Sequence, residues 1–218
     1  SLGADSYRKL FLEDGDNSCE SVLDYQYAKN MKGTFHDMAD KVSAGYLLAT
    51  KKFADMFLDK NGVPIDNVET CFQGYESVQS EYEDRDPRMD IFFLKPGERF
   101  WLFSQPMYNA NWDNLDDPNR GIVYNVEFGF WTQTGYRNVK FEAEITFPLG
   151  NDWSIIRYTE VLLIYAEASF EKNSKISDTE LDLSINKLRD RVGMPHLTND
   201  FVTTNGLNCL LYTSDAAD

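Results

Sequence analysis

The sequence predicts a mainly α-helical fold with short β-hairpins and long loops. Three observations support this fold class. Apolar residues recur at helical spacing within residues 158–192. Strand-like runs elsewhere are only a few residues long, and residues 104–120 are crowded with Asn, Asp and Pro, which are typical of loops. We therefore expect helices to form the regular part of the core, with an αα-hairpin near the C-terminus.

The N-terminal third predicts one strand and one helix. Residues 22–27 alternate in polarity and carry aromatic side chains, which favours a short strand. Thr50 is a suitable N-cap for a helix over 50–60, and Asn61 and Gly62 are typical of a helix end. We expect this helix to present an inner apolar face formed by Phe53, Met56 and Phe57.

The middle of the chain predicts irregular structure. Residues 91–94 and 100–103 are apolar runs on either side of a Pro-Gly turn. Residues 124–147 contain short strand-like pieces around Gly129 and Gly135. Because none of these pieces is long, we expect hairpins rather than a large sheet.

The C-terminal region predicts two packed helices. The first covers 157–171, and its apolar positions extend most of the way round the helix, which is typical of a helix buried on more than one side. The second begins with a capping box, in which Ser177 and Glu180 bond reciprocally. Its apolar stripe is formed by Leu181, Ile185, Leu188 and Val192, and Gly193 with Pro195 ends it. This αα-hairpin has the form of one unit of a helical-repeat array, which needs neighbouring helices to cover its apolar surface.

Composition excludes several classes of function. Lys and Arg number 21 against 36 Asp and Glu, which gives a formal net charge of −15. An acidic chain lacks the cationic surface that binds nucleic acid or anionic lipid. Three cysteines and two histidines argue against a disulfide framework and against a zinc site, and we expect no cofactor. The best apolar stretch, 161–168, is less than half the length needed to span a bilayer.

Residues 209–218 are interpreted as foreign to the protein. They match one reading frame of a transposon adapter used in sequencing libraries, so we assign 1–208 to the natural protein. The alternative is a natural polar tail. Together with the first residue being Ser rather than Met, this interpretation predicts that the chain is a piece of a larger protein.

The sequence gives only weak signals for metal-binding or catalytic residues. The acidic turns at 14–20 and 59–62 lack the Gly and Glu positions of a calcium loop, and we expect solvated turns there. Residues 84–88 place two carboxylates beside two guanidinium groups, which lowers carboxylate pKa values and favours an ion-pair network over a glycosidase pair. His36 and His196 lack metal-ligand spacing and are expected in surface positions or loops.

The strongest indication of a binding site is a set of aromatic residues in polar loops. Aromatic rings offer flat apolar faces to the C–H side of sugars, while amides bind sugar hydroxyls. Trp112, within 109–114, is the residue most expected to be exposed. The candidate stacking residues are Trp112, Tyr108, Trp101, Trp131 and Tyr124, and the candidate polar residues are Asn109, Asn111 and Asn114.

Four segments in order resemble one known family. They are 84–90, 135–140, 151–168 and 184–195, and the most specific is the Arg157–Ala168 helix with its Arg-Tyr-x-Glu-Val-Leu-Leu-x-Tyr-Ala-Glu-Ala pattern. The chain resembles, over about residues 5–205, the C-terminal region of SusD/RagB-type nutrient-binding lipoproteins of Bacteroidota. The resemblance implies a SusD-like fold, a lipid anchor and helical repeats in an absent N-terminal half, and a cell-outer-membrane, surface-exposed location.

The resemblance also implies function. Family members capture glycans, or in some cases peptides, and deliver them to a SusC-like TonB-dependent transporter without catalysis. Ligand-contacting residues do not follow from the shared motifs, and the motif residues Arg157, Glu160, Glu167 and Arg189 are expected to serve packing and ion pairs. The alternatives are a carboxylate-dependent glycoside hydrolase, a peptide-binding member of the same family, and an intracellular helical-repeat scaffold.

Overall fold

The computed structural model describes residues 10–11, 18–26, 48–95, 99–100, 122–123, 134–140 and 152–207. Within these residues, the chain forms helices together with strands of at most five residues, as the sequence predicts. The elements in chain order are β1 (Ser21–Tyr25), β2 (Leu48–Ala49), α1 (Lys51–Asp55), α2 (Val78–Tyr82), α3 (Met89–Phe92), β3 (Phe93–Leu94), β4 (Arg99–Phe100), β5 (Ile122–Val123), β6 (Tyr136–Asn138), β7 (Trp153–Arg157), α4 (Tyr158–Asn173), α5 (Asp178–Leu183), α6 (Ile185–Val192) and α7 (Asn199–Thr204).

The strands form small antiparallel sheets with distant partners. β1 pairs with β7, and β6 lies between β2 and β3. β4 pairs with β5. The strand predicted near 22–27 is confirmed as β1, but its partner lies more than a hundred residues away, from Trp153 opposite Tyr25 to Arg157 opposite Ser21. Most pairings are therefore not hairpins between adjacent segments, because alternation identifies a strand but not its partner.

An aromatic core joins α1 to the α3–β3 segment. Phe57 packs edge-to-face against Phe92 and Phe93, with ring centroids 5.6 and 5.4 Å apart. Phe53 packs on Phe57 in the same manner at 5.4 Å. The predicted inner positions Phe53 and Phe57 are confirmed, but Met56 is 48% exposed. The reason is that α1 ends at Asp55, so Met56 caps the helix and no longer follows its apolar face.

The C-terminal helices form the second core, in which α4 contacts both α5 and α6. The capping box of Ser177 and Glu180 is present, and the predicted stripe is buried. The second predicted helix is divided at Ser184, whose backbone has φ −131° and ψ −95°. The Ser184 hydroxyl donates to the Glu180 carbonyl oxygen at 2.6 Å, which draws this residue out of the helical path. The expectation of one continuous helix over 178–192 was therefore wrong.

Buried polar contacts fix the segment that follows α6. Gly193 ends α6 with φ +76°, a conformation that favours glycine. Asn186, 1% exposed, accepts from the Leu197 amide at 2.7 Å and donates to the Leu197 carbonyl oxygen at 3.0 Å. Both polar groups of one buried backbone unit are thereby satisfied. No helix among the described residues is long and apolar enough to cross a membrane.

Gly62 provides a test of the contact between the two halves of the described structure. Its φ is +82°, and a Cβ atom there would lie 2.8 Å from Nη1 of Arg189, which donates to the Pro195 carbonyl oxygen. We expect Gly62→Ala to cost ~1 kcal/mol for the left-handed backbone and ~1 kcal/mol more for disturbing the arginine's hydrogen bond. The measurement is the urea midpoint of unfolding of the full-length protein.

Gly206→Ala is the matched control for this substitution. Gly206 also has positive φ, +62°, but no atom lies within 4 Å of the position of a Cβ. Gly206→Ala should therefore lower the free energy of unfolding only by the ~1 kcal/mol that a left-handed backbone costs a residue with a Cβ atom. Equal losses for the two variants would contradict the packing of Arg189 on Gly62.

Candidate functional site

The aromatic and amide residues predicted to bind ligand all lie outside the described residues. The structure therefore neither brings them together nor separates them, and this site stays a prediction. The residues concerned are Trp101, Tyr108, Trp112, Tyr124, Trp131, Asn109, Asn111 and Asn114. His36 and the acidic turn at 14–17 also lie outside the described residues.

The charged segment 84–88 forms the predicted ion pairs only in part. Asp86 and Arg88 make a buried salt bridge with 2.6 Å between Oδ2 and Nη2. Asp84 accepts from Nζ of Lys60 at 2.8 Å, and this hydrogen bond lowers the pKa of its carboxyl. A glycosidase needs one carboxyl with a raised pKa as its acid, and Asp84 is shifted in the opposite direction.

Arg85 departs from the predicted ion pairing. Arg85 is 6% exposed, and its guanidinium donates to backbone carbonyl oxygens instead of carboxylates. Nη2 donates to Ala54 at 2.8 Å and Phe57 at 3.1 Å, where α1 ends. Nη1 donates to the Glu81 carbonyl oxygen at 3.2 Å in α2. Arg85 therefore supplies donors to helix carbonyls and joins two helices.

Asp59 is not the solvated residue that the sequence indicated. It is 0% exposed. Its Oδ1 accepts from the amides of Asn61 and Val63, each at 2.9 Å. Its Oδ2 accepts from the Cys71 amide at 2.8 Å and the Thr70 hydroxyl at 3.0 Å. Four donors occupy the carboxylate, and the expectation of a solvated turn failed because two of them come from a distant segment.

The remaining ionisable groups form no metal site within the described residues. No three His, Cys, Asp or Glu side chains there are grouped as metal ligands. His196 is 48% exposed, in agreement with a surface position. Its two ring nitrogens lie 2.7 Å from Asp190 and 3.3 Å from Asp182, so the two carboxylates face opposite sides of the ring.

An exposed aromatic residue is fixed in position beside α1. Tyr75 is 46% exposed. Its hydroxyl donates to Oδ1 of Asp55 at 2.6 Å, and Nζ of Lys51 lies 3.7 Å from its ring centroid. Phe72 meets Tyr75 edge-to-face with centroids 5.0 Å apart. We call the group formed by the exposed Lys51, Gln73 and Tyr75 with the half-buried Asp55 and Phe72 the Tyr75 surface.

Polar groups continue this surface towards Asp84. Gln73 is exposed and its amide donates to Oδ2 of Asp84 at 3.3 Å. Between Gln73 and Tyr75, Gly74 has φ +87°, and no atom lies within 4 Å of the position of a Cβ. The turn is therefore open at Gly74, between the exposed amide of Gln73 and the exposed ring of Tyr75. This surface was not predicted from the sequence, because the Phe-Gln-Gly-Tyr turn of 72–75 carries no signal that separates it from an ordinary polar turn.

The outer face of α4 is apolar and exposed. Thr159, Leu162 and Ala166 are buried against the described helices. The outer face is formed by Tyr158, Val161, Ile164 and Tyr165, which are 41%, 43%, 57% and 42% exposed. Exposed apolar residues grouped on one helix face are typical of a surface that another element or another protein covers.

The four family-motif residues have different environments. Arg189 is buried and binds the Pro195 carbonyl oxygen, and the guanidinium of Arg157 lies 5.2 Å from the ring of Phe11, so both serve packing as predicted. Glu160 and Glu167 are exposed on α4. The ion pairs predicted for these two carboxylates do not form within the described part of the chain.

Comparison with known proteins places the chain in a family. The family model described as the SusD family matches residues 14–216. The chain therefore belongs to the SusD family, whose members generally bind glycans or other nutrients. No curated protein sequence matches the chain.

Two solved structures are similar to this fold. One is a SusD-like protein from Bacteroides fragilis NCTC 9343, with a TM-score of 0.66, 18% identity, and coverage of 99% of this chain and 44% of the other. The second is the selenomethionine form of BT4246, with a TM-score of 0.53, 19% identity, and coverage of 94% of this chain and 39% of the other. The chain thus spans less than half the length of these similar proteins. They support a SusD-like fold.

The alkylation rate of Cys71 tests the environment that this thiol shares with the buried Asp59 carboxylate. Burial raises the pKa of the Cys71 thiol, and the neighbouring Asp59 raises it further. Because the thiolate is the nucleophile, we expect iodoacetamide at about pH 8 to alkylate Cys71 more slowly than the exposed Cys19. Peptide mass spectrometry over time measures both rates in one sample, and unfolding in urea should remove the difference. Equal rates in the folded protein would contradict this environment.

Proposed function

We propose that the protein captures oligosaccharides or polysaccharides at the cell surface and delivers them to a SusC-like TonB-dependent transporter. The observation that carries the proposal is the match to the SusD family over residues 14–216. In this proposal the protein is a lipoprotein of the cell outer membrane, held by a lipid anchor outside these 218 residues. Its ligands are glycans, and neither nucleic acid nor a cofactor takes part.

The proposed binding chemistry is stacking and hydrogen bonding without bond cleavage. Aromatic rings offer apolar faces to sugars, and side-chain amides bind sugar hydroxyls. The rings are those of Trp112, Tyr108, Trp101, Trp131 and Tyr124, and the amides are those of Asn109, Asn111 and Asn114. The net charge of −15 favours neutral glycans, since anionic ones would be repelled. A peptide ligand is the alternative within the same family.

Hydrolysis is less well supported than binding. Among the described residues, the carboxylates adjacent in sequence at 84–86 are both engaged by cations, Asp84 by Lys60 and Asp86 by Arg88. The hydrogen bond from Lys60 lowers the pKa of the Asp84 carboxyl, which makes Asp84 poorly suited to donate a proton to a leaving group.

Trp112→Ala tests the predicted binding site. In native gels containing neutral polysaccharides (starch, xylan, galactomannan or β-glucan), we expect the full-length protein to be retarded by at least one of them. The variant should migrate faster in that gel because it lacks a stacking ring. Val68→Ala, at a position 94% exposed, is the control and should migrate as wild type.

Two results of this experiment would count against the proposal. Equal retardation of Trp112→Ala and wild type would remove Trp112 from the site. Reducing ends that accumulate when the full-length protein is incubated with the same polysaccharide would favour a glycoside hydrolase.

We also propose that helices outside these 218 residues cover the outer face of α4. The support is the exposure of four large apolar side chains on a helix whose opposite side is already buried. Ile164→Cys, 57% exposed here, should react slowly with a maleimide in the full-length protein. Val68→Cys should react quickly, and equal rates at both positions would contradict the covering helices.

A further inference from the structure

We propose that the Tyr75 surface is a second contact for the captured glycan, in which the Tyr75 ring stacks on a neutral sugar. This inference deepens the proposed function and rests on it. The residues involved lie outside the loops from which the sequence predicted the binding site. The class of ligand is a neutral oligosaccharide or polysaccharide chain.

The first argument is that an exposed ring is fixed. Exposed side chains ordinarily keep rotational freedom, which is lost when a ligand binds. Tyr75 is 46% exposed, yet its hydroxyl is bound by Asp55 and one side of its ring carries the Lys51 ammonium. The ring is thereby ordered before any ligand arrives, which reduces the entropic cost of stacking.

The second argument is the rigid support beneath the turn. Phe72, which contacts Tyr75, lies over the Arg85 guanidinium with 4.7 Å from its carbon to the ring centroid. Arg85 is itself held by the carbonyl oxygens at the end of α1. Just before Phe72, the buried Asp59 binds the Cys71 amide. Buried charges therefore hold both the ring and the backbone of the turn.

The third argument concerns the polar groups of this surface, which suit sugar hydroxyls. The exposed amide of Gln73 and the carboxylate of Asp84 make a long hydrogen bond of 3.3 Å, which a sugar hydroxyl can replace by shorter ones. Lys51 is neutralised by Asp55 and Lys60 by Asp84. The surface thus carries hydrogen-bonding groups without excess positive charge, which favours a neutral glycan over an anionic one.

Two substitutions at position 75 separate stacking from packing. Tyr75→Phe keeps the flat ring and loses the hydroxyl bonded to Asp55, whereas Tyr75→Leu keeps apolar bulk and loses the ring. In the native gels containing neutral polysaccharide, with full-length protein, we expect Tyr75→Phe to bind about twofold more weakly than wild type, because its ring keeps the Lys51 contact but loses the bond to Asp55. We expect Tyr75→Leu to bind about tenfold more weakly, a change of about 1.4 kcal/mol.

Thermal unfolding of each variant checks that the fold is kept, and Val68→Ala again serves as the control. If wild type, Tyr75→Phe and Tyr75→Leu are equally retarded, the Tyr75 surface is not a glycan contact, although glycan capture stands. If Tyr75→Phe and Tyr75→Leu weaken binding equally, the hydroxyl rather than stacking matters and the inference is overturned. If wild type is retarded by none of the polysaccharides, the proposed function itself fails.

Discussion

The burial of Arg85 and Asp59 is the constraint on which the N-terminal half of the described structure depends. A buried charge is tolerated only when protein groups replace the hydration it loses. Arg85 meets this requirement with carbonyl oxygens at the end of α1 and in α2, and Asp59 with amides from 61–63 and Cys71. Each charge draws together segments that are separate in the chain, and the backbones of Asp59 and Arg85 themselves pair in an isolated antiparallel bridge. The short helices α1 and α2 and the 70–75 turn therefore need these two side chains more than they need helix propensity.

Local features were predictable from the sequence, and features with distant partners were not. Thr50 and the Ser177 capping box depend on residues three positions away, and both occur as predicted. The burial of Asp59 depends on donors eleven and twelve residues further along, which spacing alone does not reveal. The same limit explains why β1 was predicted but its pairing with β7 was not. Residue type indicates which kind of hydrogen-bonding partner a buried group requires, while the fold decides which residues supply that partner.

The candidate binding residues likewise divide into those that the sequence identified and one that it did not. Aromatic residues in Asn-rich loops were identifiable because composition alone marks them, and they remain a prediction outside the described residues. Tyr75 was overlooked because one tyrosine in a polar turn is unremarkable by composition. Its interest comes from being exposed and fixed at once, through Asp55 and Lys51 one helix away. Only three-dimensional contacts distinguish such a ring from an ordinary surface tyrosine.

The geometry of α4 shows how far a single helix constrains its surroundings. Successive residues of an α-helix are about 100° apart, so buried Leu162 and Ala166 define one side of α4. Val161 and Tyr165 each come one position before one of these buried residues and lie about 100° round the helix from it. Ile164 lies further round, on the exposed side. The apolar surface thus continues well past the buried side, and Glu160 and Glu167 occupy the narrow remaining strip. The described helices α5 and α6 cover one side of this helix, and in the proposal above further helices cover its other side. In that proposal the covering layer is apolar, and the glutamates at the border favour basic residues on its margin.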